Sequence, residues 1–521
     1  VKQMNGLDRM FINVETARLP MDMFGILMLD PSTAPDGHDF ARFRAEMAAR
    51  LPKIPVFARR AVSAPFGAGH EHWIVDPNFT IDRHLKHLGA PAPYDLSALC
   101  ELAVSLADEP LDRTRPLWQM YYVDGLADGS AAILLRLHHA AIDGVGGTEM
   151  LSELFDRAPL PMDPDLAAYR VNGERVPSQV EMLLRSVPDQ MLIPVKLAQR
   201  SVPIAIPLLK GLLSRASSAG RTTAKPDVDE ASPPEKKSPT GPSPAASRNL
   251  LNRLTSSPKR SLAVASLSMS EVKRAKDRFG VTLNDVVLSI TSAAVADYLR
   301  DRDELPGEPL RIAGPVNVRD EAAESASGNH FAFMMVPVPD IADPVERIRT
   351  VSALTAKRKP ARASSGATVT RTNRKPTGTV SQVMKLIDAL PTGAWLALGQ
   401  LVNSPAVEAV PPIANFVVSN IPGPRDKLYI AGAEITHMYG RTMVGAGIGL
   451  FIHCLSYGDS LDFGFTALAD LIPDPETIVK GVHRHLSELL NAPAQGSDQR
   501  TGLAARRETK AAVAQRNKVK S

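Results

Sequence analysis

The run His138-His139-Ala140-Ala141-Ile142-Asp143-Gly144 places two imidazoles and a carboxylate within seven residues. A neutral imidazole accepts a proton near neutral pH, which is the step that activates a hydroxyl nucleophile. A lone histidine at the end of a strand is more often a satisfied core residue than a base, so the elements around the pair have to carry the chemical reading. Before it, Ala131 to Leu137 is apolar, short and free of Gly and Pro, which predicts a buried strand. After it, Asp143-Gly144-Val145-Gly146-Gly147 breaks the strand, and Thr148 to Phe155 carries apolar residues at helical spacing. The histidines therefore sit where a strand leaves the core. If strand alternation persists, His138 and His139 point to opposite faces, leaving one of them for proton transfer and the other for packing or hydrogen bonding.

The remaining sequence bounds the setting. A chain of 521 residues with 44% hydrophobic and 22% charged residues has the composition of a globular protein, divided into two or three domains. The net charge of +4 is small for this size and does not mark a nucleic-acid partner. Cys100 and Cys454 lie far apart in apolar stretches, which argues against a disulfide framework or a zinc site and fits a reducing, cytoplasmic compartment. No signal peptide is visible, because the first apolar run is broken by Glu15, Arg18, Pro20 and Asp22. Met182 to Leu213 is apolar but repeatedly interrupted by Lys, Arg and Pro. That pattern argues against a spanning helix and suits contact with a membrane surface.

Both halves mix strands and helices. Amphipathic helices are expected at Asp39 to Leu51 and Asp95 to Ala107, with strands at Gln119 to Val123 and Ala131 to Leu137. Further on, Ser268 with Glu271 reads as a capping box for a helix stopped by Gly280, and Thr282 with Asp285 opens another running to about Arg302. Strand-like runs follow at Arg311 to Val318, Phe331 to Val338, Asn415 to Ser419, Gly449 to Ser456 and Leu461 to Thr466. Asp474-Pro475 is expected to cap the last helix. Residues 216–248, rich in Ser, Pro and Lys, read as a flexible linker between an N-terminal lobe, 1–215, and a C-terminal lobe, 249–490. A basic loop at 356–378 and a disordered basic tail at 491–521 complete the organisation, as solvated segments or as contacts for anionic headgroups or a phosphorylated cofactor.

The HHxxxDG pattern at His138 to Gly144 resembles that of the chloramphenicol-acetyltransferase-like acyltransferases. Several further segments are similar, in order and interval, to the bacterial wax ester synthase/diacylglycerol acyltransferase family. They are Leu7-Asp8-Arg9-Met10-Phe11 with Glu15, Pro110 to Trp118, Asn284-Asp285-Val286-Val287-Leu288, Pro315-Val316-Asn317-Val318-Arg319, Gly328-Asn329 and Ser419-Asn420-Ile421-Pro422-Gly423-Pro424. The similarity runs from about residue 5 to 490 and leaves the linker, the basic insert and the tail unexplained. Leu461-Asp462-Phe463-Gly464-Phe465 resembles an Asp-Phe-Gly-Trp element of the wider superfamily with Phe in place of Trp, and Asp462 reads as structural.

What the resemblance implies is an α/β protein of mixed sheets, in two chloramphenicol-acetyltransferase-like lobes with the active site and an apolar tunnel between them. It also implies acyl transfer from acyl-CoA, a cosubstrate rather than a bound cofactor, to diacylglycerol or a long-chain alcohol, with no metal. His139 matches the family's general base, and His138 supports it. Asp143 holds the loop through a salt bridge, for which Arg319 is the candidate partner. Asn284 orients His139 or donates to the developing oxyanion. Asp285 is divided between helix capping and a site role, and Pro116-Leu117-Trp118 reads as structural. With no Ser or Cys elbow beside His139, direct attack by the acceptor hydroxyl is expected rather than an acyl-enzyme. The same reading places the protein in the cytoplasm, peripheral to the inner membrane face or to lipid droplets. Its competitors are wax ester synthesis, a carrier-protein-dependent acyltransferase, and a lipid-binding or droplet-coating protein without activity.

Overall fold

The computed structural model describes residues 2–65, 70–141, 153–163, 165–184, 245–255, 257–317, 331–356, 392–402, 404–405, 408, 410–445 and 447–493. The linker up to residue 244, the basic loop from 357 and the tail from 494 lie outside the described residues. The strands of the described residues are β1 (Lys2–Gln3), β2 (Asp22–Asp30), β3 (Arg59–Val62), β4 (His72–Val75), β5 (Leu85–Gly89), β6 (Trp118–Asp124), β7 (Ala131–His138), β8 (Arg260–Ser268), β9 (Leu310–Asn317), β10 (Phe331–Val338), β11 (Phe416–Ile421), β12 (Tyr429–Ile430), β13 (Ala433–Arg441), β14 (Leu450–Tyr457) and β15 (Ser460–Leu468). They form two six-stranded mixed sheets, β12-β13-β2-β7-β6-β5 and β10-β9-β11-β14-β15-β8, and a small antiparallel sheet, β1-β4-β3.

β7 reads as an apolar run interrupted only by Arg136 up to its closing histidine because both of its faces are covered. Ala131, Ile133, Leu135 and Leu137 enter one core with Phe43, Phe57 and Trp118. Ala132 and Leu134 enter another with Leu99, Cys100 and Ala103 of the helix Leu96–Ser105 and with Leu262 of β8. In the second lobe the helix Leu283–Arg300 is buried along almost its whole length. It shares a core with Phe463 and Phe465 of β15 and with Ile478, Val482 and Leu486 of the helix Glu476–Asn491.

The lobe boundaries expected at 1–215 and 249–490 do not follow sheet membership. β12 and β13 come from the second half of the chain yet complete the first sheet, with β13 antiparallel to β2 from Glu434 opposite Asp30 to Arg441 opposite Phe24. An uncovered β2 edge would leave a row of backbone groups unpaired, and β13 satisfies them. Where β13 crosses the second sheet, the contact is glycine on glycine, Gly440 against Gly464.

Two expected caps take other partners. The Ser268 hydroxyl pairs with Ser270 Oγ at 2.8 Å instead of capping the helix Met269–Phe279. The Asp474 carboxylate accepts from Tyr298 OH and Thr477 Oγ1 and pairs with Arg302, leaving the last helix without a side-chain cap. The Thr282–Asp285 capping box is present in full, and Gly280 closes the preceding helix at φ 64°. Among the described residues no single helix is long and apolar enough to cross a membrane.

Candidate active site

β7 ends at His138, and His139–Ala141 turns as a 3-10 helix. Two carbonyls from other segments fix this exit: His138 N–H donates to Leu117 O at 3.0 Å and His139 N–H to Met21 O at 2.7 Å. Leu117 owes its position to Trp118, whose Nε1 donates to Phe57 O at 2.9 Å while its ring stacks on His84 and meets Phe57 edge-on. The Pro-Leu-Trp segment is thus a scaffold for the histidine backbone.

Because the strand stops at His138, the expected alternation does not carry through to His139. The 3-10 turn brings both rings to one element instead, the first helix Gly6–Val14 and its C-terminal Glu15. The His139 ring stacks on Phe11 with centroids 4.1 Å apart, and His138 Nε2 lies 3.5 Å from Glu15 Oε2. The Ala140 N–H donates to His138 Nδ1 at 3.1 Å, so Nδ1 is the unprotonated nitrogen and the proton resides on Nε2, facing Glu15. Glu15 also accepts from Arg113 Nη2 at 2.7 Å and from Met21 N at 3.1 Å. Burial alone would raise its carboxyl, but His138, Arg113 and the Met21 amide outweigh that and hold it at about 2.

His139 is the more isolated of the two rings. Its Nδ1 is buried without a side-chain partner among the described residues. Burial pushes its pKa down to about 4; its own backbone carbonyl opposes the shift and the neighbouring His138 adds to it. The ring is therefore neutral across the physiological range, the state a proton acceptor needs.

Behind the histidines lies a buried charge cluster. Asp22, which pairs across the sheet with His138, accepts from Arg136 Nε at 2.5 Å and faces Arg441 Nη1 at 3.5 Å. All three side chains are at most 3% exposed, and both guanidiniums lie over the Phe24 ring. Burial lowers the Arg441 pKa, and Asp22 opposes that shift. Arg441 is contributed by β13, so the second half of the chain helps to support the wall behind the candidate base.

Of the other expected site residues, Asp143, Gly144 and Arg319 lie outside the described residues, as does Gly328-Asn329. Asn284 is half-buried at the start of the helix Leu283–Arg300, and no hydrogen bond joins it to either histidine. Asp285 is 2% exposed and fully engaged: Oδ2 accepts from Thr282 N at 2.9 Å and Oδ1 from Thr355 Oγ1 at 2.6 Å. That accounts for it as framework. Asp462, fully buried, accepts from Met438 N, Ser266 Oγ and His437 Nδ1, tying β13 to β15 and β8.

Sequence reasoning did not anticipate Phe11, Arg113, Asp22 or Arg441 as neighbours of the histidines. Glu15 and Phe11 stood in a segment singled out by resemblance alone. The signal available in it was an aromatic and a carboxylate four residues apart, one helical turn.

Two cavities show where space is available among the described residues. A small one of about 60 Å³ opens beside Ala140 and Ala141, lined also by Asp8, Arg59 and Trp73. A larger one of about 520 Å³ lies in the second lobe among Asp297, Arg300, Arg347, Arg484 and His485, away from the histidines. It belongs to an ion-pair network in which His485 bridges Asp297 and Glu488.

Comparison with known proteins converges on one family. Residues 4–287 match the wax ester synthase/diacylglycerol acyltransferase catalytic domain, and residues 327–490 match the C-terminal domain of the same family. A Mycobacterium tuberculosis protein bearing a diacylglycerol O-acyltransferase name is 32% identical, over 94% of this chain and 90% of its own. A second from that organism, also bearing that name, is 28% identical over 93% of this chain and 98% of its own. In fold, the chain is similar to a wax ester synthase/diacylglycerol acyltransferase from Marinobacter aquaeolei, with a TM-score of 0.60 and 20% identity, covering 94% of this chain and 98% of that one. It is also similar to the first condensation domain of the calcium-dependent antibiotic synthetase, with a TM-score of 0.50 and 13% identity, covering 96% and 98%.

Proposed function

This chain belongs to the wax ester synthase/diacylglycerol acyltransferase family, and from that membership we propose that it esterifies diacylglycerol to triacylglycerol, taking the acyl group from acyl-CoA with His139 as general base. The observation that carries the base assignment is the placement of His139: a half-buried imidazole stacked on Phe11 at the exit of β7, its Nδ1 buried without a partner among the described residues and its ring kept neutral by desolvation. The relatives' names supply the acceptor.

In this reading His139 takes the proton of the acceptor hydroxyl as its oxygen attacks the thioester carbonyl. The C–O bond forms, the C–S bond breaks, and the proton passes to the departing CoA thiolate. No group of the protein is acylated. His138 positions the turn through its bond from Ala140 N–H and its pairing with Glu15. Asp143 is assigned to holding the loop, and Asn284 to orienting His139 or donating to the oxyanion. Acyl-CoA enters as cosubstrate and leaves as free CoA. A peripheral position at a lipid surface follows from the insolubility of the acceptor.

Purified protein with labelled acyl-CoA and an acceptor panel of diacylglycerol, hexadecanol and a short alcohol tests this directly. Triacylglycerol is the expected main product. His139→Ala is expected to lower the rate by roughly 10²- to 10⁴-fold, the usual worth of such a base. Unchanged turnover in that variant sinks the mechanism. Ester from hexadecanol in preference to diacylglycerol replaces the acceptor with a fatty alcohol.

A further inference from the structure

The helix Thr392–Val402 presents its apolar residues to solvent. Thr392, Trp395 and Gly399 form its inner stripe and are buried. Gly399 sits so close to the first helix that a Cβ there would lie 2.9 Å from Val14 Cα. Trp395 joins Val14, Leu19 and Met21 in a small core against which Phe11 packs. The outer side carries Leu396, Leu398 and Leu401, which are 47%, 39% and 53% exposed. From Asp388 to Glu408 the sequence has no charged residue between the two. Surface helices of water-soluble domains ordinarily turn a polar face outward.

Resting on the acyl-transfer reading above, we propose that Leu396, Leu398 and Leu401 form the face by which the protein docks on an anionic phospholipid surface, from which the acceptor lipid is drawn. Charge complementarity favours that occupant: the chain leading into the helix carries seven Lys or Arg and no Asp or Glu between 357 and 378. An apolar face preceded in the sequence by a basic stretch suits the boundary between headgroups and acyl chains. Three leucines on one short helix fall far below the roughly 1,200 Å² that a stable protein interface buries, whereas insertion into lipid gains with each apolar side chain. Location favours it too. The inner side of this helix packs on the element whose Phe11 stacks on His139, so the docked lipid lies one helix away from the candidate base.

The test is flotation of the full chain with phosphatidylglycerol/phosphatidylcholine vesicles, alongside acylation of vesicle-embedded diacylglycerol and of a short water-soluble alcohol. The wild-type protein is expected to float with the vesicles, less so at high salt because the cationic contribution is screened. Leu396→Glu/Leu401→Glu is expected to lower both the vesicle-bound fraction and acylation of embedded diacylglycerol by roughly tenfold, while the short alcohol is still acylated at the wild-type rate. Gln400→Leu, which enlarges the apolar face, should raise the bound fraction. Flotation of the double variant equal to wild type overturns the proposal, as does a wild-type chain that acylates detergent-dispersed diacylglycerol yet binds no vesicle. So does a concentration-dependent dimer lost in the double variant without vesicle binding, which would assign the face to a second copy. Ester from no acceptor would remove the acyl-transfer reading, and flotation of the three proteins would then decide the docking face by itself.

Discussion

Gly440 of β13 and Gly464 of β15 cross in contact: a Cβ built on Gly464 would lie 1.8 Å from the Gly440 carbonyl oxygen. This is where the strand that the second half donates to the first sheet passes over the second sheet. Only hydrogen fits there. Gly440 is equally confined, because a Cβ on it would meet His453 Nδ1 at 2.5 Å.

Gly464→Ala is therefore expected to force β13 off β15 and to destabilise the fold by about 3 kcal/mol or more, at the upper end of overpacking costs because the obstructing atom is backbone. Urea denaturation followed by circular dichroism measures it. A midpoint equal to wild type would show that the two lobes separate here without penalty.

Asp22→Asn removes the negative charge from a buried site that also holds Arg136 and Arg441. Leaving two buried guanidiniums facing a neutral amide should cost about 3–5 kcal/mol, the usual penalty for breaking a buried pair. The loss should appear as a lower midpoint in chemical denaturation. Asp22→Asn/Arg441→Met, which takes away one of the stranded charges, should recover part of it.

The pH profile of the reaction follows from His139. Its folded pKa of about 4 lies below the ordinary value of 6.5. The ring therefore stays deprotonated as pH falls through 6.5, and protonation of the base is postponed to about 4. The acid limb of kcat/KM in the free enzyme should lie well below 6.5 and near the lower value. The same depression favours the fold above pH 6.5, and that contribution is lost as pH falls toward 4. A limb centred at 6.5 would mean that the base is exposed in solution.

Glu15→Gln keeps an acceptor for the Met21 amide but loses the charge that faces His138 and Arg113. Turnover should fall roughly tenfold with the KM for acyl-CoA unchanged, because His138, which anchors the turn, loses its partner. The carboxyl is held at about 2, below its ordinary 4.5. Its contribution is thus present in full above 4.5 and lost as pH falls toward 2, about 3 kcal/mol at most. The variant should show a shallower fall of stability across that window. A fall in turnover accompanied by a raised KM would assign Glu15 to substrate binding instead of positioning.

Much of the local frame around the candidate site was legible in the chain. An apolar run followed by two histidines marked the end of a buried strand, because a strand covered on both faces has no polar alternation to interrupt it. Thr282 and Asp285 announced a helix start, since their side chains satisfy the orphan amides of that turn. Local signals failed where other partners took the capping oxygens: Ser268 and Asp474 resembled caps, but Ser270, two residues on, took the first, and Tyr298 and Arg302, far along the chain, took the second. Alternation was also misleading at the decisive place, because the 3-10 turn after His138 turns both rings toward the first helix.

By itself the sequence determined the chemistry on offer, an imidazole at a strand exit, together with the order of motifs that marks the family. Those properties are local: they depend on residue type, spacing and period. Tertiary structure alone decided which neighbours surround the two imidazoles. Phe11 lies against His139, Glu15 faces His138, and Arg441 joins Asp22 behind them across separations of more than a hundred residues. Such contacts are set by which backbone edges need hydrogen bonds and which surfaces need covering, and neither is written in the local pattern. The same reason lets a strand from the second half complete the first sheet.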